Sequence, residues 1–373
     1  MPETNTDWYR IDNKEELDSP ALVVYPDRVS QNIATALGMI GSPGRLRPHI
    51  KTSKSPDAAR LMLEAGITKF KCATIAEAEM LGMCQAPDVL FAYQPVGPKL
   101  ERFICVIRKY PLTKFSCLTD HPAAAAHIES VFAARGLCVD VYLDLNIGQN
   151  RTGIAPGPQA RDLYQWACSR QGIRAVGLHA YDGHIRDQDF SARKLKCDQG
   201  FAAVQQLQQE IVKLGHKEPV IVAGGSPTYS IHCKRERIEC SPGTFIYWDK
   251  GYSDLCPEQA FVPAALVVTR VISLPDATKI CLDLGHKSIA AENELHRRVF
   301  FLGTQGLKPI SQSEEHLVVE TQPGHPYRPG DFLYGLPMHI CPTVALYERA
   351  TLVCNHLAAG EWKNTARDRK IGC

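Results

Sequence analysis

At 373 residues the chain is longer than a typical single domain, so we expect two domains, although an α/β barrel alone can exceed about 200 residues. Its 42 basic and 40 acidic side chains leave a formal charge of +2, which argues against an electrostatically driven nucleic-acid binder. No apolar run approaches the roughly 18 residues that span a bilayer, and the start "MPETNTDWYR" lacks a basic and an apolar segment. The 14 cysteines are scattered without a Cys-x-x-Cys motif. We therefore expect a cytoplasmic protein with no membrane partner, whose cysteines are mostly buried thiols.

Short apolar or β-branched runs alternate with longer helical patterns over the first 250 residues. The runs begin at Ala21, Leu46, Lys69, Asp88, Lys114, Val139, Ala175, Pro219 and Ile238. Apolar residues recur every three or four positions in the segments 57–66, 74–83, 99–110, 121–136, 157–172 and 201–215. About eight β-α repeats indicate a parallel barrel or a doubly wound sheet. Polar residues at the ends of successive strands favour a (β/α)8 TIM-type barrel over residues 1–255.

The pattern changes after Tyr252. Strand-like segments follow one another with short, turn-rich links and no long helix, at 264–274, 279–285, 297–303, 316–322, 331–337 and 350–360. This spacing predicts a second, mostly antiparallel β domain over residues 256–373.

The stretch "LRPHIKTSKSP" places several basic groups at the end of a predicted strand. Lys51 would lie at the carboxyl end of the barrel beside His49 and Lys54. Neighbouring cations and partial burial should make its amine easier to deprotonate, and a neutral amine forms Schiff bases. A solvated basic rim is the alternative from this stretch alone.

Four further segments indicate a ligand with a ring and a phosphate. "VAGGSPTYS" follows a strand with two glycines and then Ser226 and Thr228, and "SPGTF" could form the adjoining wall; free backbone N–H groups and hydroxyls of this kind cradle phosphate. Arg151, in "LNIGQNRTGI", suits an oxyanion. "GLHAYDGH" offers Tyr181 to face a flat ring and His184 as a base. Together these features suggest pyridoxal 5'-phosphate. Taken singly, the two glycine segments could be ordinary strand-exit turns, Arg151 a surface arginine and Tyr181 a core residue.

The order and spacing of "DSPALVVYPDRVSQNI", "PHIKTSK", "GQNRTGI", "GLHAYDGH", "GGSPTY", "SPGTF" and "PMHICPTV" resemble the family of D-threonine aldolase and eukaryotic-type D-serine dehydratase. That family has the alanine-racemase-like fold, an α/β barrel followed by a β domain. The resemblance implies that Lys51 forms the imine to the cofactor, that Arg151 reaches its phenolic oxygen and that Tyr181 lies against its ring. It also implies a set of phosphate-binding residues, namely Gly224, Gly225, Ser226, Thr228, Gly243 and Thr244. His49 is expected beside the cofactor, and Lys51, Tyr181 and His184 are the candidate catalytic residues.

Ser241 departs from the racemases of this fold, which commonly have an arginine at this place to contact the pyridine nitrogen, so racemase activity is less expected. A metal could supply the missing assistance. His339 and Cys341 stand two residues apart, and on an extended strand both side chains would face one side, about 6 to 7 Å apart at their Cα atoms. Imidazole and thiolate suit zinc, with manganese or magnesium as alternatives. A buried cysteine beside a hydrogen-bonded histidine is the other interpretation of the spacing.

The expected activity is that of a lyase acting on D-3-hydroxy amino acids with pyridoxal phosphate and a divalent metal. We predict retro-aldol cleavage of D-threonine-like substrates to glycine and an aldehyde. A D-serine or 3-hydroxyaspartate dehydratase, giving a 2-oxo acid and ammonia, is the alternative. A racemase or a non-catalytic pyridoxal-phosphate-binding protein fits the residues less well. Relatives of this fold pair head to tail, so the resemblance also implies a homodimer.

Overall fold

The computed structural model describes residues 7–304 and 306–373. Strands in this part of the chain are β1 (Ala21–Val24), β2 (Lys69–Cys72), β3 (Asp88–Phe91), β4 (Lys114–Thr119), β5 (Val139–Leu145), β6 (Ile173–Ala180), β7 (Val220–Ala223), β8 (Ile238–Cys240), β9 (Ala265–Asp276), β10 (Lys279–Leu282), β11 (Val299–Leu302), β12 (Lys308–Gln312), β13 (Leu317–Glu320), β14 (Phe332–Pro337), β15 (Arg349–Cys354) and β16 (Leu357–Lys363). The α-helices are α1 (Pro26–Ile40), α2 (Pro56–Glu64), α3 (Ile75–Met83), α4 (Pro98–Lys109), α5 (Pro122–Ala133), α6 (Pro158–Cys168), α7 (Phe190–Lys213), α8 (Tyr229–His232), α9 (Lys250–Leu255) and α10 (Ile340–Val344). None of the described helices is both long and apolar enough to cross a membrane.

Strands β2 to β8 form a parallel sheet in chain order, with a helix after nearly every strand. The segment 46–50 closes this sheet into a barrel. Leu46 pairs with Cys240 in β8 and His49 pairs with Lys71 in β2, both in parallel. The predicted α/β barrel is therefore confirmed, and the segment just before Lys51 closes it through two isolated bridges rather than a full strand.

The barrel is filled by side chains. Leu90, Leu118, Tyr142 and Val222 form a buried cluster, as expected for strands whose alternate residues face the barrel axis. Arg47 is also buried and forms ion pairs of 2.7 Å with Asp88 and with Glu239. Since Asp88 is the first residue of β3, Arg47 points to the amino end of the barrel, away from the edge where Lys51 lies.

The second sheet is mostly antiparallel, as predicted, and follows the order β12-β13-β10-β9-β1-β15-β16, with β14 attached to β9 and β11 attached to β14. The first strand of the chain belongs to this sheet. Val24 pairs antiparallel with Ala265 and parallel with Leu352. The apolar run at Ala21 thus forms part of the second sheet, although the predicted division at residue 255 assigns it to the barrel domain. The division itself stays a prediction.

Several local expectations were incomplete. Helix α1 and strand β12 were not predicted, and the run 350–360 is a hairpin of two strands, which turns at Asn355 and His356 with positive φ angles of 50° and 64°. Cys105 and Cys373 form a disulfide with Cα atoms 5.9 Å apart, whereas we expected mostly buried thiols. Because the two cysteines are 268 residues apart, no spacing pattern in the sequence predicted the pair. Of the cysteines described as free, three are exposed, namely Cys138, Cys168 and Cys354.

Candidate active site

A cavity of about 540 Å³ opens at the carboxyl edge of the barrel. Its walls come from the ends of consecutive strands, which is where barrels of this kind hold their ligands. It brings together four of the predicted site residues, His49, Lys51, Arg151 and Tyr181.

Lys51 is half-buried, and within the described chain its ammonium group forms no ion pair or side-chain hydrogen bond. Its backbone N–H lies 3.3 Å from Nδ1 of His49. Burial and then the charges of Lys51 and Lys71 hold the pKa of His49 well below its usual value, so this imidazole is neutral. Lys54 instead pairs with the buried carboxylate of Glu77. The predicted cationic neighbour of Lys51 is thus already compensated.

A second lysine, which sequence reasoning missed, lies in the same cavity. Lys71 is buried at the third position of β2, and its Nζ is 3.4 Å from Nε2 of His179. Burial and the charge of Lys51 lower the pKa of Lys71 to about 7. The other ring nitrogen of His179, Nδ1, lies 2.7 Å from the carboxylate of Asp144. Polar residues at strand ends are the sequence signal that could have identified Lys71, since Lys71 and Asp144 both lie near a strand end.

Tyr181 follows β6 directly, and its ring lies between the cavity and the glycine loop after β7. The Arg151 guanidinium is 5.1 Å and the Lys71 ammonium 5.6 Å from the ring centroid. The tyrosine therefore lies among cations, as expected for a side chain that borders an anionic ligand. His184 is exposed and lies against Gly148, outside the lining of this cavity. Its role as a base remains a prediction.

The loop after β7 approaches Tyr181 closely. Gly224 has φ +78°, and a Cβ on Gly225 would lie 2.9 Å from the Tyr181 ring. Ser226 accepts a 3.2 Å hydrogen bond from the Thr244 N–H, so its own hydroxyl proton is free to donate. Thr228 differs, because its hydroxyl donates to Asp182 at 2.6 Å and accepts from the Gly225 N–H at 3.3 Å. Thr228 is thus suited to shaping the loop rather than to donating to a ligand.

The opposite wall is equally close. A Cβ on Gly243 would lie 3.1 Å from the carbonyl oxygen of His49. Two glycine-lined loops beside a cavity with three cationic side chains and an adjoining tyrosine suit an anionic ring compound with a phosphate. The residues present therefore fit pyridoxal 5'-phosphate.

His339 and Cys341 also meet near this edge, but by a different local structure from the one predicted. His339 is extended, while Ile340 begins α10. The turn forms because the Ile340 N–H donates to Asp249 at 3.0 Å and the Thr343 hydroxyl donates to the His339 carbonyl at 2.8 Å. The extended strand that we expected for both residues is wrong.

The two side chains nevertheless interact. Burial alone would raise the pKa of Cys341, but hydrogen bonding to His339 and the charges of His339 and Lys51 lower it. Burial would lower the pKa of His339, whereas the thiolate and nearby carboxylates raise it to about 9. Cys341 Sγ is 3.1 Å from the hydroxyl of Thr52, the residue after Lys51. An imidazole and an ionisable thiol next to the lysine fit a zinc-like metal ion.

A second group of metal-type ligands is buried behind the glycine loop. The ligand atoms of Asp182, Cys197 and His232 all lie within 4.8 Å of one another. Asp182 accepts hydrogen bonds from His232, at 2.8 Å, and from Thr228. Burial alone would raise the pKa of Asp182, but these partners lower it. The aspartate therefore stabilises the loop through hydrogen bonds.

The barrel with a glycine-lined anion site and a second β domain defines a protein of the alanine racemase fold. The model of the alanine racemase N-terminal domain matches residues 24–250, and that of a putative serine dehydratase domain matches residues 264–353. The chain thus belongs to the alanine racemase N-terminal domain family and is an enzyme of this pyridoxal-phosphate-dependent group.

Three proteins illustrate the similarity. D-threonine aldolase of Arthrobacter sp is 25% identical over 329 residues, or 86% of this chain and 85% of that protein. D-threo-3-hydroxyaspartate dehydratase of Delftia sp. (strain HT23) is 26% identical over 242 residues, or 62% of each chain. The crystal structure of D-threonine aldolase from Filomicrobium marinum has a TM-score of 0.87 at 24% identity, covering 94% of this chain and 96% of that one. A cysteine-to-alanine variant of a D-threo-3-hydroxyaspartate dehydratase was solved in a metal-free form, with a TM-score of 0.80 at 21% identity, covering 93% of this chain and 97% of that one.

Proposed function

We propose that the protein is a lyase that uses pyridoxal phosphate and a divalent metal, most simply zinc, to cleave D-3-hydroxy amino acids. The observation that carries the proposal is the position of Cys341 against Thr52, which brings the metal-type pair His339 and Cys341 next to Lys51. A hydroxyl on the β carbon of an amino acid held at Lys51 would then lie within reach of the metal. Metal coordination lowers the pKa of such a hydroxyl.

Each residue of the site would have a distinct task. Lys51 would hold the cofactor covalently and exchange a proton at the α carbon of the substrate. Arg151 would pair with the phenolic oxygen, and Tyr181 would confine the ring against the glycine loop. The Ser226 hydroxyl and other backbone N–H groups of the two glycine loops would bind the phosphate. The cofactor supplies an electron sink for the bond that breaks.

Retro-aldol cleavage, giving glycine and an aldehyde, is the first candidate reaction. It is supported by D-threonine aldolase relatives that cover most of the chain. In this reaction a base must take the proton of the β-hydroxyl, and His184 is the predicted group. Because His184 lies outside the cavity, substrate binding or a conformational change would have to bring it to the β-hydroxyl.

Dehydration is favoured by one specific observation. The thiol of Cys341 has a lowered pKa, and a cysteine-to-alanine variant of a D-threo-3-hydroxyaspartate dehydratase was solved in a metal-free form. In this reaction Lys51 would take the α-proton while the metal assists the departure of the hydroxyl, and a 2-oxo acid and ammonia would result.

Product analysis separates the two reactions. The purified protein with pyridoxal phosphate and zinc would be given D-threonine, with a chelator control. Glycine and acetaldehyde indicate the aldolase, and 2-oxobutanoate and ammonia indicate the dehydratase. Cys341→Ala should abolish either reaction while the exposed Cys354→Ala leaves it intact. Turnover that is unchanged by the chelator and by Cys341→Ala would contradict the role of the metal.

The proposal includes a homodimer in the cytoplasm, as the resemblance to this fold implies. Sedimentation of the holoprotein would test the dimer directly.

A further inference from the structure

A second cavity, of about 530 Å³, lies beside His339 of the proposed metal pair. His339, Asp249 and Tyr252 line it together with two arginines, Arg186 and Arg297. Neither arginine was singled out by the sequence.

Two arginines and three carboxylates, Asp249, Asp254 and Glu292, line this cavity, and they differ in their partners. Within the described chain, neither guanidinium forms an ion pair or a hydrogen bond, and Arg186 only lies over the ring of Tyr252, 5.5 Å from its centroid. The acidic groups of the lining are engaged elsewhere. Asp254 pairs with Lys250, and Glu292 lies 2.5 Å from Nδ1 of His339.

Asp249 is also engaged by other groups. Its carboxylate accepts from the Tyr252 N–H at 2.8 Å and from the Ile340 N–H at 3.0 Å. Its side chain is buried. Two guanidiniums without partners beside occupied carboxylates make this cavity attractive to an anion.

The cavity adjoins the proposed reaction site through His339, which lines it and belongs to the proposed metal pair with Cys341. Cys341 in turn lies 3.1 Å from the hydroxyl of Thr52, the residue after Lys51. A substrate held at Lys51 with its hydroxyl at the metal pair would have one further substituent on the β carbon, and the cavity beside His339 is the space that would receive it.

We infer that Arg186 and Arg297 form a subsite for a second carboxylate, so that the preferred substrate is a D-3-hydroxy amino acid with an acidic side chain. This inference rests on the proposed function for the placement of the amino group and the hydroxyl. The planar guanidinium can bind a carboxylate through two parallel hydrogen bonds, which a small neutral side chain cannot replace. The subsite is compatible with cleavage and with dehydration, because neither reaction alters the distal carboxylate.

Binding of an unreactive amino acid tests the subsite separately from turnover. D-Aspartate lacks the hydroxyl, and D-asparagine is its neutral counterpart of similar shape. Dissociation constants for both would be measured by titration calorimetry on the zinc-loaded holoprotein. We expect D-aspartate to bind at least about tenfold more tightly, because a hydrogen bond to a charged group contributes about 1.5–3 kcal/mol.

Variants then assign the preference to the arginines. Arg186→Gln and Arg297→Gln should each reduce the preference for D-aspartate severalfold, and the double variant should abolish it, while D-asparagine binding changes less than twofold. Arg108→Gln, on the exposed outer face of α4, is the matched control. Bound cofactor and circular dichroism would show that the variants are folded. A preference that persists in the double variant, or equal binding of the two amino acids by the unaltered protein, would overturn the subsite.

Turnover distinguishes this inference from the proposed function. If the unaltered protein cleaves or dehydrates D-threonine and D-threo-3-hydroxyaspartate equally well, the function stands and the subsite fails. If it turns over neither, but the arginines control D-aspartate binding, the subsite stands and the function fails. We expect the ratio of kcat/KM for the acidic over the neutral substrate to fall at least about tenfold in the double variant.

Discussion

The carboxylate of Glu292 lies 2.5 Å from Nδ1 of His339. This contact fixes which nitrogen of the imidazole can face a metal, because the nitrogen bound to the carboxylate is the one that carries a proton. Glu292 stands on an irregular segment of the β domain, and it orients the proposed metal ligand from outside.

We predict that Glu292→Gln lowers zinc affinity by about 10- to 100-fold, the usual effect of removing such an outer partner of a metal-ligating histidine. Competition with a chelating dye would measure the affinity. Glu294→Gln is the control, since this exposed carboxylate lies only near His296, at 3.5 Å. Equal affinities for the two variants would contradict a role for Glu292 in orienting the metal ligand.

The two lysines of the barrel cavity lead to a second prediction. Borohydride reduction of the holoprotein should fix the cofactor on Lys51 and not on Lys71, because Lys51 stands at the position that the family resemblance assigns to the anchor. Peptide mass spectrometry would locate the modification. Lys51→Ala should lose the visible absorbance of the bound cofactor, whereas Lys71→Met should retain it. A modified peptide that contains Lys71 would reverse the assignment.

Lys71 should make the stability of the cofactor-free protein depend on pH. Its folded pKa of about 7 lies below the ordinary value of 10.5, so the buried ammonium destabilises the fold fully below pH 7. This cost decreases as pH rises and disappears near the unfolded pKa. Lys71→Met should thus raise the free energy of unfolding most at pH 6, and its advantage should shrink above pH 7 by up to about 1.4 kcal/mol per pH unit.

Urea unfolding at several pH values would measure this difference. Lys213→Met, at an exposed position of α7, should give a difference from the unaltered protein that does not vary with pH. A constant difference for Lys71→Met as well would show that Lys71 keeps its ordinary pKa in the folded state.

The glycine loop leads to a fourth prediction. Gly225→Ala should weaken pyridoxal-phosphate binding at least about tenfold, because the new methyl group would lie 2.9 Å from the Tyr181 ring and displace the ring or the loop. Gly38→Ala is the matched control, since no atom lies within 4 Å of its new Cβ in α1. It should leave binding unchanged and stabilise the helix by about 0.5–1 kcal/mol. Fluorescence titration with the cofactor would compare them, and equal affinities would show that the close approach is unimportant.

The sequence predicted the barrel because strand and helix periods alternate clearly, and strand ends located Lys51, Arg151 and Tyr181 at one edge. It could not place the run at Ala21, since a short apolar strand fits either sheet. The metal-type pair was proposed from residue spacing together with the family resemblance, but its backbone was not predicted, because the turn at Ile340 depends on Asp249, which is distant in the chain. Glu292 and the two arginines of the second cavity lie in irregular or exposed segments. In such segments no hydrophobic periodicity indicates which way a side chain points.

The position of β1 between β9 and β15 has a consequence for biosynthesis. Residues 21–24 leave the ribosome before the barrel, yet both of their partner strands are made after it. The barrel strands, in contrast, pair with neighbours close in the chain and can assemble during translation. In the nascent chain this apolar strand therefore stays unpaired until synthesis is nearly complete. We expect chaperones to bind such an exposed apolar segment.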